Sequence, residues 1–140
     1  MKILAAVDGS SYTKRMLAYL TAHDEWLGTA HSYTLIHAVP AVPSRAAAAM
    51  DKADLQAYYD ETAEKVFKPI RSFLSKREVK AEYLAKVGSA ADLIIQAAKK
   101  GDHDLIILGS HGHGTLQSLV MGSVSAKVLS HCDIPVLLIR

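Results

Sequence analysis

Short apolar runs alternate along this chain with longer amphipathic stretches. Residues 3–7, 33–39, 81–85, 105–108 and 136–139 read as five strands. Between the second and third, Leu55, Tyr59, Thr62, Val66, Ile70 and Phe73 recur at spacings of three and four, the period of one helix face. Pro69 falls inside that pattern and predicts a kink or a weak point in the helix. Ser10 or Ser11 is placed to cap the first helix and Gly28 to end it. Ser89 is placed to cap the third, with Asp92 near its positive end and Gly101 closing it. The stretch Pro40-Ala41-Val42-Pro43-Ser44-Arg45, followed by four alanines, is the least regular and reads as a mobile loop leading into the second helix.

Strands that alternate with helices predict an α/β fold, because parallel neighbours need a crossover helix between them. The expected architecture is an open, doubly wound, five-stranded parallel sheet of order 3-2-1-4-5 with helices on both faces. Four of the strands are nearly continuous apolar runs, which suits burial on both faces. The third, Lys80-Ala81-Glu82-Tyr83-Leu84-Ala85-Lys86, is more polar and belongs at an edge. The fifth, Val136, Leu137, Leu138 and Ile139, is apolar throughout, yet the same order puts it at the other edge. An exposed apolar edge invites pairing, so a homodimer through this strand is expected. No internal repeat and no second composition appear, and residues 1–140 read as one domain.

Composition narrows the partners. With 16 basic and 14 acidic residues the net charge is only +2, which does not suggest a nucleic-acid partner. Lys76-Arg77 and Lys99-Lys100 sit near predicted helix ends and are read as balancing the helix dipole. The opening apolar run stops at Asp8 after five residues, short of the roughly 7–15 of a signal peptide. No run approaches the roughly 20 residues of a membrane span. The one cysteine, Cys132, has no intramolecular partner and reads as packing. A cytoplasmic protein with no membrane partner is expected.

The chemistry concentrates in Gly109-Ser110-His111-Gly112-His113-Gly114, followed after seven residues by Gly122-Ser123. This segment leaves strand four and enters a helix expected to start near Ser123, its N-cap. A helix start presents free N–H groups and a positive dipole end, and glycines let a backbone approach an anion closely. In a 3-2-1-4-5 sheet the winding reverses between strands one and four, and ligands bind outside the carboxyl ends of those strands. Strand one ends there in Asp8-Gly9-Ser10, so two polar loops converge on the crevice. Gly109, Gly112, Gly122 and Ser123 are therefore read as a phosphate cradle, and Asp8 as a partner for nucleotide or metal. Neither a P-loop nor a dinucleotide fingerprint is present.

The spacing Gly109-x2-Gly112-x9-Gly122-Ser123 resembles the nucleotide-binding signature of the universal stress proteins. Ala6-Val7-Asp8-Gly9-Ser10, His37-Ala38-Val39 and the ending Asp133-Ile134-Pro135-Val136-Leu137-Leu138-Ile139 resemble other landmarks of that family, across the whole chain. The resemblance implies a stress-response protein that binds ATP or AMP and is commonly a dimer. It implies that Ala6, Val7, Asp8 and Ala38 surround adenine and ribose. Leu108, Gly109, Gly112, His113, Gly122, Ser123 and Val124 would line ribose and phosphates. Ala38 stands where valine is frequent, which trims apolar contact with the base.

His111 and His113 offer at most two ligands where structural zinc wants four, so they are read as phosphate or solvent contacts. A Mg²⁺ bridging the phosphates fits, since such ions need few protein ligands. His37 reads as a hydrogen-bonded core residue, and Trp26 as packing rather than a base platform. Two function classes follow. One is a regulatory nucleotide-binding module with little or no turnover and no catalytic residue. The alternative is a slow ATPase or another nucleotide-processing enzyme. No nucleophile–base pair is recognisable, and an adenylyl transferase would need H-x-G-H after strand one. A phospho-acceptor receiver would need an acidic residue where strand three ends in Val87-Gly88.

Overall fold

The computed structural model describes residues 1–27, 30–113 and 121–140, and of the side chains in these all but Asp24 and Leu27. The strands are β1 (Lys2–Ala6), β2 (Ser32–Val39), β3 (Ala81–Val87), β4 (Leu105–Gly109) and β5 (Val136–Ile139). The helices among these residues are α1 (Ser11–Ala22), α2 (Asp24–Leu27), α3 (Ser44–Ala47), α4 (Lys52–Ser75), α5 (Ala90–Lys100) and α6 (Ser123–His131). The five strands form one sheet of order β3-β2-β1-β4-β5, with every neighbouring pair parallel. The expected α/β architecture is therefore the observed one.

Alternation along the central strands divides the core into two layers. Ile3 and Ala5 of β1 face α1 and α4, where Met16, Leu17, Leu20, Phe67, Ile70 and Leu74 close over them. Leu4 points the other way, into a second layer with Ile36, Ala91, Ile94, Ile106 and Val128 beneath α5 and α6. A strand buried on both faces reads as an unbroken apolar run, which is why β1 and β4 stood out. At the β3 edge the residues are half-buried or exposed. Tyr83 meets Phe67 edge-on at 5.3 Å, and Arg71 lies 4.8 Å over its ring. Trp26 packs against the first layer and Cys132 against the second.

Several local expectations are corrected. The first helix stops at Ala22, not at Gly28, which lies outside the described residues. Its start is as expected: Ser10 is the N-cap and its hydroxyl accepts from Thr13 N–H. Residues 40–49 are not wholly irregular, because α3 forms within them. Helix α4 passes through Pro69 without a break. Pro69 and Lys65, whose carbonyl loses its N–H partner there, both lie on the exposed face, so water can satisfy that oxygen. Helix α6 is capped by Gly122, with Ser123 as its first residue, one position from the expected cap.

Candidate functional site

The carboxyl ends of β1 and β4 diverge because α1 leaves β1 toward one face of the sheet and α6 leads away from β4 on the other. Between them opens a cavity of about 480 Å³. Every residue singled out from the sequence lines it: Ala6, Val7, Asp8, Ala38, Leu108, Gly109, Gly112, His113, Gly122, Ser123 and Val124. His111, read with His113 as a phosphate or solvent contact, also lines it, whereas the sequence reading missed Thr13, Ile36, Ala90, Ile94 and Ser125 as lining residues, along with His37, which it had left to the core. Ile36, Ala90 and Ile94 came from helix and strand faces with ordinary core periodicity, so no local signal set them apart. Thr13 and Ser125 each lie one turn into a helix, where the two-residue offset from Ser11 and Ser123 was the only available sign.

Asp8 is built into the turn that follows β1. Its Oδ1 accepts from Ser10 N–H at 2.9 Å and from the Thr13 hydroxyl at 2.9 Å. The Thr13 hydroxyl oxygen in turn accepts from the N–H groups of Asp8 and Gly9. Gly9 takes φ +78°, a conformation that suits glycine. Burial raises the Asp8 carboxyl, but hydrogen bonds from Ser10 and Thr13, aided by the nearby His113, outweigh it. The carboxyl is held below its ordinary value of 3.8. Asp8 thus stays an anion at neutral pH, with Oδ1 committed to the turn.

The glycines also answer to packing within the protein. A Cβ at Gly109 would come within 2.8 Å of Tyr12 Cβ, and one at Gly112 within 2.6 Å of Asp8 Oδ2. At Gly122 it would meet the Ser110 carbonyl at 3.1 Å and His111 Cα at 3.3 Å. These added atoms would strike the protein, so the glycines let the two loops press together. That approach narrows the crevice and aims Asp8 Oδ2 at the Gly112 backbone.

Hydrogen bonds tie the same loops. His113 Nε2 donates to the Asp8 carbonyl at 2.7 Å, which fixes the proton on that nitrogen in the neutral ring. Gly122 N–H donates to the Ser110 carbonyl at 2.8 Å, and the Ser125 hydroxyl to the Gly109 carbonyl at 3.0 Å. His111 Nδ1 lies 3.0 Å from the Ser110 hydroxyl, and its ring is 5.1 Å from that of Tyr12. His37 is buried; its Nδ1 donates to the Val7 carbonyl at 2.8 Å and its ring meets Phe67 edge-on.

A doubly wound parallel sheet with an open, loop-lined crevice at its switch point is an α/β architecture in which ligands commonly bind at that point. The pattern of the Universal stress protein family matches residues 1–140, and the chain belongs to that family. It is 35% identical over 138 residues to a universal stress protein of Thermus aquaticus, covering 99% of this chain and 97% of that one. Its fold is similar to that of the universal stress protein UspA of Lactobacillus plantarum, with TM-score 0.77, 20% identity, and 100% and 97% of the two chains covered. It is also similar to a universal stress protein family protein of Arabidopsis thaliana with AMP bound, with TM-score 0.70, 18% identity, and 99% and 90% covered.

Proposed function

We propose that this chain is a cytoplasmic, nucleotide-responsive regulator of the ATP-binding type, holding ATP or AMP in the crevice between β1 and β4. The observation that carries the reading is the convergence of all eleven sequence-designated residues on one cavity. Ala6, Val7 and Ala38 give apolar surface for adenine, Leu108 and Val124 flank ribose and phosphates, and Asp8 is an anionic acceptor for ribose hydroxyls. Gly109, Gly112, Gly122 and Ser123 place the loop backbone and the start of α6 beside the phosphates. The AMP bound to the Arabidopsis protein supports an adenine nucleotide as the ligand class. Mg²⁺ arriving with the phosphates would meet Asp8 as the one carboxylate among the described lining residues, so nucleotide and water would supply most of its ligands.

The reading includes little or no turnover, since Asp8 Oδ1 is engaged by Ser10 and Thr13 and is poorly placed to act as a base. It also includes a homodimer through β5. Isothermal titration with ATP, AMP and GTP tests the central claim. A site of this kind is expected to reach micromolar affinity for the adenine nucleotides, about −8 kcal/mol. Absence of binding, or equal binding of GTP, would refute it. Phosphate release from excess Mg²⁺ATP should stay far below the common enzymatic rate of about 10 per second.

A further inference from the structure

Strand β2 outruns its neighbour β1 at the mouth of the cavity. The parallel register between them ends at Ala6 and Ile36, whereas β2 stays paired with β3 as far as Val39 and Val87. Even-numbered residues of β2 turn their backbone groups toward β1. Ser32 N–H donates to the Met1 carbonyl at 3.0 Å, and the Ile36 carbonyl accepts from Val7 N–H at 2.9 Å. Odd-numbered residues face β3, where the Val39 carbonyl accepts from Gly88 N–H at 3.0 Å. The backbone N–H and carbonyl of Ala38 therefore point past the end of β1. In an unbroken parallel ladder they would meet the Val7 carbonyl and Gly9 N–H.

Side chains take both of those partners. His37 Nδ1 donates to the Val7 carbonyl at 2.8 Å, and Thr13 Oγ1 accepts from Gly9 N–H at 3.2 Å. His37 is held in place by burial, with its ring edge-on to Phe67 at 6.1 Å. Ala38 is half-buried and lines the cavity beside Val7 and Asp8. Its N–H and carbonyl thus open on the crevice instead of closing a sheet. Water meets them in the free protein, since a backbone group sealed away unpaired is rarely tolerated.

We infer that His37 is a positioning residue of the nucleotide site: it ends the β1–β2 ladder one bond early and so keeps Ala38 N–H as a donor for the ligand. The inference rests on the nucleotide-binding reading above and gives a task to a histidine set in an apolar strand. An aliphatic side chain at position 37 could pack against Phe67, but it would leave the Val7 carbonyl free to draw in Ala38 N–H. The ladder would then gain a bond and the crevice would lose a donor. The ligand group served is a hydrogen-bond acceptor on the edge of the base, which the same reading sets against Ala38.

Amide hydrogen exchange, read residue by residue by NMR, tests the role. In free wild type, Ala38 N–H should exchange about tenfold or more faster than Ile36 N–H, and saturating ATP should slow it. His37→Leu should protect Ala38 N–H without any ligand. It should also weaken ATP binding about three- to tenfold in isothermal titration, the worth of one hydrogen bond. His37→Asn, whose amide nitrogen can stand where Nδ1 stood, should restore both fast exchange and affinity. Unchanged protection of the Leu4 and Ile106 amides reports that each variant keeps its sheet. A role confined to core packing would leave the Ala38 amide as it was. Protection of Ala38 N–H in free wild type would overturn the inference, and that result requires no variant to fold. Fast Ala38 exchange in His37→Leu, or ATP affinity unaltered there, would overturn it while leaving the nucleotide site standing. Wild type that binds no ATP would remove the nucleotide site itself and this role with it.

Discussion

Asp8 joins stability to the site, because the same carboxylate that borders the cavity orders the turn after β1. Replacing it with alanine leaves Ser10 N–H and the Thr13 hydroxyl without their acceptor, a loss of about 1–3 kcal/mol at neutral pH. The pH dependence has a definite sign. A carboxyl held below 3.8 when folded contributes fully above that value, and the contribution disappears as pH falls through the folded-state value. Asp8→Asn keeps an acceptor oxygen but no charge, so its stability gap to wild type should narrow below about pH 4. Urea unfolding of both proteins across the acid range checks this, and a gap that stays constant would deny Asp8 the role. Gly109 supplies a second prediction. An alanine there sets Cβ against Tyr12 Cβ at 2.8 Å and the His111 carbonyl at 3.1 Å, neither free to swing aside. Gly109→Ala should cost about 1–3 kcal/mol in the same assay and weaken ATP binding by moving the loop.

At the level of elements, α4 shows how exposure decides whether a local rule is enforced. Ala63, Phe67, Ile70 and Leu74 hold its buried face to the sheet, while Pro69 sits on the side facing water. Tertiary packing therefore carries the helix through a residue that would end an isolated one. Pro69→Ala restores one backbone hydrogen bond and should stabilise the protein by about 1–3 kcal/mol, read from the urea midpoint. A midpoint unchanged or lowered would mean that the helix is already adapted to the proline. The strands were legible because parallel strands buried on both faces leave unbroken apolar runs, and β3 because its polar residues mark an edge. The cavity's position followed from strand order, and the part of its lining that was anticipated from the glycine spacing together with the family resemblance. What stayed hidden depends on contacts between distant residues: His113 reaching Asp8 across 105 positions, and Tyr12 resting against Gly109. Nothing in either neighbourhood announces the other. The helical turn at α3 was masked in the same way, since prolines and a run of alanines carry no amphipathic period.

For the whole molecule, the open question in the fold is the outer edge of β5. Pro135 accepts from Ile106 of β4 and Ile139 from Ser110 just beyond it, so odd-numbered positions turn their backbone groups inward. By the two-residue period of a strand, Val136 and Leu138 turn theirs outward, toward no other strand of this sheet. Their side chains pack into the second core layer and Leu137 into the first, so the strand is anchored on both faces while its edge is unpaired. Val124 and Leu129 of α6 are exposed large apolar residues on the element that leads into this strand. An edge of this kind is suited to pairing with its own copy across a two-fold axis, with the strands antiparallel. The expected outcome is a dimer in sedimentation equilibrium. Leu137→Lys is an uncertain probe, because that side chain also supports the core. Val136→Pro removes an outward N–H at the first position of the strand, where proline is tolerated, and leaves the bonds to β4 in place. It should sediment as a folded monomer with a circular dichroism spectrum like that of wild type. A folded Val136→Pro protein that still sediments as a dimer would move the interface away from β5, and a wild-type monomer at the highest concentration reached would end the dimer proposal.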